Sequence, residues 1–208
     1  MSAWPLVFIL SGVALLTGCA GTATMHYDLK SPSMVTASQP VRASTPMAYM
    51  ISSVTVPEPL DINALVVRQP NDSLLVLSHD QWVAPLSQVV RSAVSTTLTD
   101  EISMPPLQGV MITASPHKAN IMDVLVDVQA FDLLPAKQAK LGVLWRIDFN
   151  DKAKKVLTCY SVQREAVGPG VLALVTAQQT NLQKVAKEIS WAMTNKKAPD
   201  SANCRTGT

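Results

Sequence analysis

The stretch Asp123-Val124-Leu125-Val126-Asp127-Val128-Gln129-Ala130 places Val124, Val126, Val128 and Ala130 on one side and Asp123, Asp127 and Gln129 on the other. A period of two belongs to a half-buried strand, whose successive side chains point to opposite faces. The pattern then returns: Leu141, Val143, Trp145, Ile147 and Phe149 alternate against Lys140, Arg146, Asp148 and Asn150. One apolar and one polar face indicate antiparallel strands covered on a single side. After the turn signal Asn150-Asp151-Lys152, a further strand is expected from Val156 to Arg164.

The cover for such a sheet is legible on both sides of it. Leu86, Val89, Val90, Ala93, Val94, Leu98 and Ile102 recur at helical spacing, with Pro85 expected at the first helical position and Pro105-Pro106 as the stop. Gly168-Pro169-Gly170 breaks the chain before a second helix, Val171 to Thr194, with a stripe of Val171, Leu174, Val175, Leu182, Val185, Ile189 and Met193. Ile51 to Val56 reads as a strand stopped by Pro57-Glu58-Pro59, which lack ladder donors. Shorter strand segments are expected at Leu65-Val66-Val67, Leu74 to Leu77 and Val110 to Thr113. The order predicts an α+β fold: a mainly antiparallel sheet with two helices packed on one face.

The N-terminus carries a different kind of signal. Leu6 to Leu16 is an apolar run of roughly 11 residues, against about 20 for a bilayer span, so it reads as a secretory signal. It ends in Leu16-Thr17-Gly18-Cys19, an apolar residue, two small ones and a cysteine. This pattern resembles the lipobox of bacterial lipoproteins. The resemblance implies cleavage before Cys19 and a covalent N-terminal lipid on Cys19, with no other cofactor. Two or three acyl chains anchor stably, where one binds only marginally. The alternative is a secreted protein with a chance cysteine near its cleavage site. The division expected is residues 1–18 as signal peptide, 19–48 as lipidated N-terminus and flexible tether, 49–197 as a single α+β domain, and 198–208 as a mobile C-terminal tail. Ser, Thr, Pro and Ala dominate the tether, and a segment of that kind buries too little area to fold alone. Tyr27 and Leu29 are its candidates for docking on the domain.

Removing residues 1–18 from the 208 leaves 190, enough for one domain with a proper core. The 17 basic and 15 acidic residues are nearly balanced and form no block of like charge, which gives nucleic-acid binding no support. With Cys19 lipidated, Cys159 and Cys204 remain, and an oxidising compartment favours their pairing as a disulfide. The competing reading leaves Cys159 as a buried small apolar residue and Cys204 in the tail.

The search for chemistry is empty. There is no G-x-S-x-G, G-x-x-x-x-G-K or G-x-G-x-x-G, and His26, His79 and His117 fall in the tether and in turn-like segments without forming a spaced pair. Asp123 and Asp127 share a strand face, but four residues at about 3.3 Å set them about 13 Å apart. Glycosidase pairs lie within about 9.5 Å. No enzyme, and no metal site, is expected. Trp82, leading through Pro85 and Leu86 into the first helix, is either a core aromatic locking the helix onto the sheet or an anchor for a partner, where Trp is enriched.

Tyr27-Asp28-Leu29, Val54-Thr55-Val56-Pro57, Leu60-Asp61 through Val66-Val67-Arg68-Gln69 and Trp82-Val83-Ala84-Pro85-Leu86 together resemble the ABC-type transport auxiliary lipoproteins, in their PqiC branch. The resemblance runs from Cys19 to about Ile102, and the later strands and final helix agree in order. It implies a lipoprotein working with an MCE-domain periplasmic protein that forms a tunnel and, through it, with an inner-membrane subunit. It places the chain at the periplasmic face of the outer membrane, supporting phospholipid movement and envelope integrity. Ala20 agrees, because an Asp directly after the lipidated Cys marks inner-membrane retention. Two other readings stay open: a lipid carrier with an apolar cavity, and an accessory lipoprotein of another envelope assembly or secretion complex. Leu125, Leu144 and Phe131, on otherwise polar strand faces, are compatible with a carrier, with a partner interface or with a homo-oligomer.

Overall fold

A computed structural model describes residues 23–30, 48–108, 121–150 and 155–207. In chain order its elements are β1 (Met25–Tyr27), β2 (Tyr49–Thr55), a single 3-10 turn (Glu58–Leu60), β3 (Ala64–Arg68), β4 (Leu74–Trp82), α1 (Leu86–Ile102), β5 (Met122–Leu134), β6 (Gln138–Asp148), β7 (Val156–Ala166), α2 (Val171–Asn195) and β8 (Asn203–Gly207). The segment Val110 to Thr113, expected as a strand, lies outside the described residues.

Five strands form one sheet in the order β2-β5-β6-β7-β8, and three form a second, β1-β4-β3. The expected α+β fold, mainly antiparallel with two helices on one face, is what forms; the strands divide between two sheets, and each sheet carries one parallel pair, β2 with β5 and β1 with β4. Parallel neighbours need a crossover between them, and α1 lies between β2 and β5 in the chain. The β5-β6-β7 meander is antiparallel throughout, as its alternation requires. Leu141, Val143, Trp145 and Ile147 of β6 are fully buried in the core, whereas Leu144 and Arg146 between them are exposed. Both helices cover that apolar side: α2 packs on β6 and β7, and α1 packs on α2 and β2.

The alternation of β5 slips once. Its register with β6 shifts between Val128 and Ala130, so Ala130 pairs with Gly142 and Phe131 with Leu141. A one-residue bulge rotates everything after it by one face. Val124, Val126 and Val128 before it, and Phe131 and Leu133 after it, therefore all reach the same core. Ala130, expected on the buried face, leaves it, and Phe131, expected on the polar face, joins the core.

Helix α1 begins one residue later than expected. Pro85 is the residue preceding it and offers no side-chain cap. The cap arrives from elsewhere in the chain: the Asp61 carboxylate accepts the Ser87 backbone N–H at 2.9 Å. A carboxylate there meets one of the orphan amides and the positive end of the helix dipole. From the same helix, Arg91 donates to the Ile51 carbonyl at 2.6 Å, where β2 slips register against β5. The two sheets are joined by Arg68 of β3, whose guanidinium holds Asp132 of β5 at 2.8 Å.

The described residues nearest each end of the chain are more ordered than composition suggests. Within the expected tether, β1 pairs with the end of β4, Leu29 is buried, and Gln179 of α2 donates to the Asp28 carbonyl at 2.9 Å. The mobile tail is corrected as well: Asn203–Gly207 forms β8, antiparallel to β7, and Cys204 lies directly opposite Cys159 and is disulfide-bonded to it. A five-residue polar strand has little to bury, so the covalent link does what side-chain packing cannot.

Closing a loop across a separation of 45 residues contributes about 2–4 kcal/mol. Replacing both cysteines with Ala is expected to lower stability in urea by that amount and to open Arg205 to trypsin; unchanged cleavage would show that β8 holds by pairing alone. Tyr49 gives a second test. It is fully buried, its hydroxyl donates to the Met104 carbonyl at 3.0 Å, and burial pushes the phenol up to about 12. The unfolded chain ionises first, so this stabilisation is complete below the ordinary value of 10.0 and is lost as the pH rises toward about 12. Alkaline denaturation is expected to be less steep across that window for Tyr49→Phe than for the natural chain.

Candidate functional site

Cys19 and the lipobox residues Leu16, Thr17 and Gly18 lie outside the described residues, as does His117. Trp82, Pro85 and Leu86 are brought together where β4 hands over to α1. Trp82 is only 2% exposed, meets Phe131 edge-on with ring centroids 6.0 Å apart, and is unavailable to a partner. Its role is that of the core aromatic: it fastens the start of α1 to the bulged part of β5. His26 and His79, expected in tether and turn, sit exposed on β1 and β4. Asp127 accepts from the Thr55 hydroxyl at 2.6 Å and also from Gln129, so it is engaged within the solvent side of the sheet.

The polar groups that the fold does gather lie between α2 and β7. The Trp145 indole N–H donates to the Ser161 hydroxyl at 2.9 Å, Ser161 donates to the Glu188 carboxylate, and Gln163 donates to the other Glu188 oxygen at 3.0 Å. Glu188 is buried on the core-facing side of α2, an arrangement a carboxylate tolerates only when its oxygens are met. Among the described residues no histidine joins it, and Ser161 is fully buried, so the chain of bonds anchors the helix to the sheet. Further along α2, Asn181 and Gln178 donate to the carbonyls of Ala139 and Lys140 at 3.1 and 3.2 Å.

Above this network is an open concavity of about 630 Å³ lined by Gln163, Lys184, Lys187, Glu188, Trp191 and residues 199–201. Trp191 is 45% exposed, and a half-exposed Trp rimmed by charge is the usual composition of a protein contact. Sequence reasoning passed over it. The signal was present, because Trp191 lies between Ile189 and Met193 of the apolar stripe and so points away from it. Two smaller grooves, of about 280 and 320 Å³, lie at the β5 bulge between the sheets and between β2 and α1. Among the described residues, no three His, Cys, Asp or Glu side chains gather as a metal site would require.

Truncating Glu188 tests the anchoring role. Glu188→Ala strands two donors, and an unmet buried group costs about 1–3 kcal/mol, read as a lower urea midpoint. Trp191→Ala is expected to stay within about 0.5 kcal/mol of the natural chain; a larger loss would make Trp191 part of the core.

No helix among the described residues is long and apolar enough to cross a membrane. No curated protein matches the chain by sequence. Among solved structures, the crystal structure of an uncharacterised protein superposes with a TM-score of 0.63 at 13% identity, covering 83% of this chain and 99% of the other. A Xanthomonas campestris protein of the DUF330 family superposes with a TM-score of 0.56, also at 13% identity, covering 84% of this chain and 94% of its own. At that identity the likeness shows the fold. The family model for the ABC-type transport auxiliary lipoprotein component matches residues 27–190, from the first strand nearly to the end of α2. The chain therefore belongs to the ABC-type transport auxiliary lipoprotein family.

Proposed function

We propose that this chain is the outer-membrane lipoprotein subunit of an MCE-type, Pqi-like lipid transport system, where it docks the periplasmic tunnel protein and supports envelope integrity. The match across residues 27–190 carries the reading, because it makes the chain an auxiliary lipoprotein of a transport system. Leu16-Thr17-Gly18-Cys19 supplies the anchor that such a lipoprotein needs, and Ala20, in place of an Asp, supports the outer-membrane end. The role proposed is binding and positioning, without catalysis.

Surface geometry supports docking over lipid carriage. The apolar side of the five-stranded sheet is filled by the two helices, and side chains such as Trp145, Leu141 and Ile147 occupy the space an acyl chain would need. The larger concavity is lined by Lys184, Lys187, Glu188 and Asp200, which suits a polar protein rim better than a hydrocarbon tail.

Cys19→Ala is expected to fold normally by circular dichroism, to leave the membrane fraction, and to lose activity when it replaces the natural chain in a deletion strain challenged with detergent. Full complementation by that variant would mean the anchor is dispensable and the reading wrong. Natural protein extracted from membranes is expected to carry with it the MCE-domain protein encoded beside it.

A further inference from the structure

The outer edge of the three-stranded sheet is only partly covered. β3 pairs with β4 from Leu74 to Gln81, whereas on the other side β1 reaches only Asp80 to Trp82. Leu74, Leu75 and Val76 are 47%, 44% and 53% exposed. Neighbouring residues of a strand point to opposite faces, so three half-exposed in a row leave both faces of β4 partly open there, with Leu74 at the rim of the groove toward β5. An open, apolar strand edge is a liability that proteins normally hide. The partner strand is different: Val66 and Val67, opposite Val76 and Leu75, are buried against the body.

The direction of the chain says what lies next to this edge. β1 is parallel to β4, with Met25 beside Asp80 and Tyr27 beside Trp82. Read backwards from Met25, β1 is therefore aimed toward the Leu74 end of β4. Met25, at that end of β1, is more than half exposed. Cys19 is six residues before Met25, a reach of at most about 20 Å when extended. Leu74 is six residues before Asp80, also about 20 Å along the strand. An acylated Cys19 is therefore within about the same reach of Met25 as the apolar tip is, and β1 is aimed at that same end.

We propose that the tip of the β3–β4 hairpin is a lipid-seating surface: Leu74, Leu75 and Val76, with Met25 beside them, enter the interfacial layer of the membrane that holds the acyl chains of Cys19. This rests on lipidation at Cys19, as above. The seat is apolar: between Leu74 and Ser78 there is no charged residue, and Arg68, opposite Leu74, is held by Asp132 at 2.8 Å, so its contact with lipid is insensitive to salt and to anionic headgroups. The turn residues Asn71, Asp72 and Ser73 remain at headgroup level, where Ser73 and Asn71 already bond to each other at 2.7 Å.

The test uses the full lipidated chain in phosphatidylcholine vesicles whose acyl chains are brominated near the headgroup end, a quencher of indole within contact range. Leu75→Trp and, separately, Val76→Trp are compared with Val83→Trp, a similarly exposed site just past the far end of β4. The emission added at position 75 or 76 is expected to fall by about half or more, since interfacial side chains sit about 5–10 Å into the acyl boundary. That added at 83 is expected to be unaffected, and both results should hold at high salt. Mass spectrometry of the same preparation reads the acyl chains on Cys19. Acylated protein with no quenching at 75 and 76 would overturn the seat and leave the anchor standing, whereas absent acyl chains would overturn both. An added emission that ignores bromine but shifts to the blue as protein crowds the vesicle would give the tip to a second copy, and would equally overturn the proposal.

Discussion

The row Leu141, Val143, Trp145 and Ile147 on β6 has to be taken out of water, and most of the architecture follows from how that is done. β6 is paired along its length on both sides, so its backbone is satisfied within the sheet and only the apolar face remains to be covered. Helix α2 covers it, and α1 braces α2 against β2. Each of these side chains removes on the order of 2 kcal/mol worth of apolar surface from water. The polar bonds from Ser161, Gln163, Asn181 and Gln178 add direction to that burial, because a hydrophobic face alone would let a helix slide along it.

The elements built on strict periodicity were legible in the sequence. β6, β7 and the two helices fall where the alternation and the helical stripes put them, within a residue or two. What was hidden is what periodicity does not encode. The slip at Val128–Ala130 breaks the count by one residue and moves Phe131 from an apparent surface to the core beside Trp82. The parallel pairing of β2 with β5 follows from where a crossover returns, which no local pattern reveals. β8 is too short and too polar to read as a strand, and it is held through Cys204. The run Leu74 to Leu77 reads as a strand, and its place in the sheet, which composition does not encode, leaves Leu74, Leu75 and Val76 exposed.

The candidate site followed the same division. The lipobox is a covalent-chemistry signal and is written in four consecutive residues, so it can be read without a fold. Trp82 drew attention as a tryptophan next to a helix start, and the fold gives it to the core. Trp191, set in an apolar helix, drew none, and the fold brings it to the surface beside Lys184 and Lys187. Surface sites of this kind depend on which face of a helix is left over after packing, and that is settled by the sheet beneath.

The parallel pairing of β1 with β4 has a mechanical side. An N-terminal lipid anchor of the kind proposed above would pull on the domain through β1, the first of the described elements. A load applied at Met25 along the strand axis stresses its hydrogen bonds to β4 sideways and together, where a peel would break them one at a time. Behind the strand, buried Leu29 and the Gln179 bond to Asp28 take up the same load. The ladder is short, but it is loaded in its strong direction.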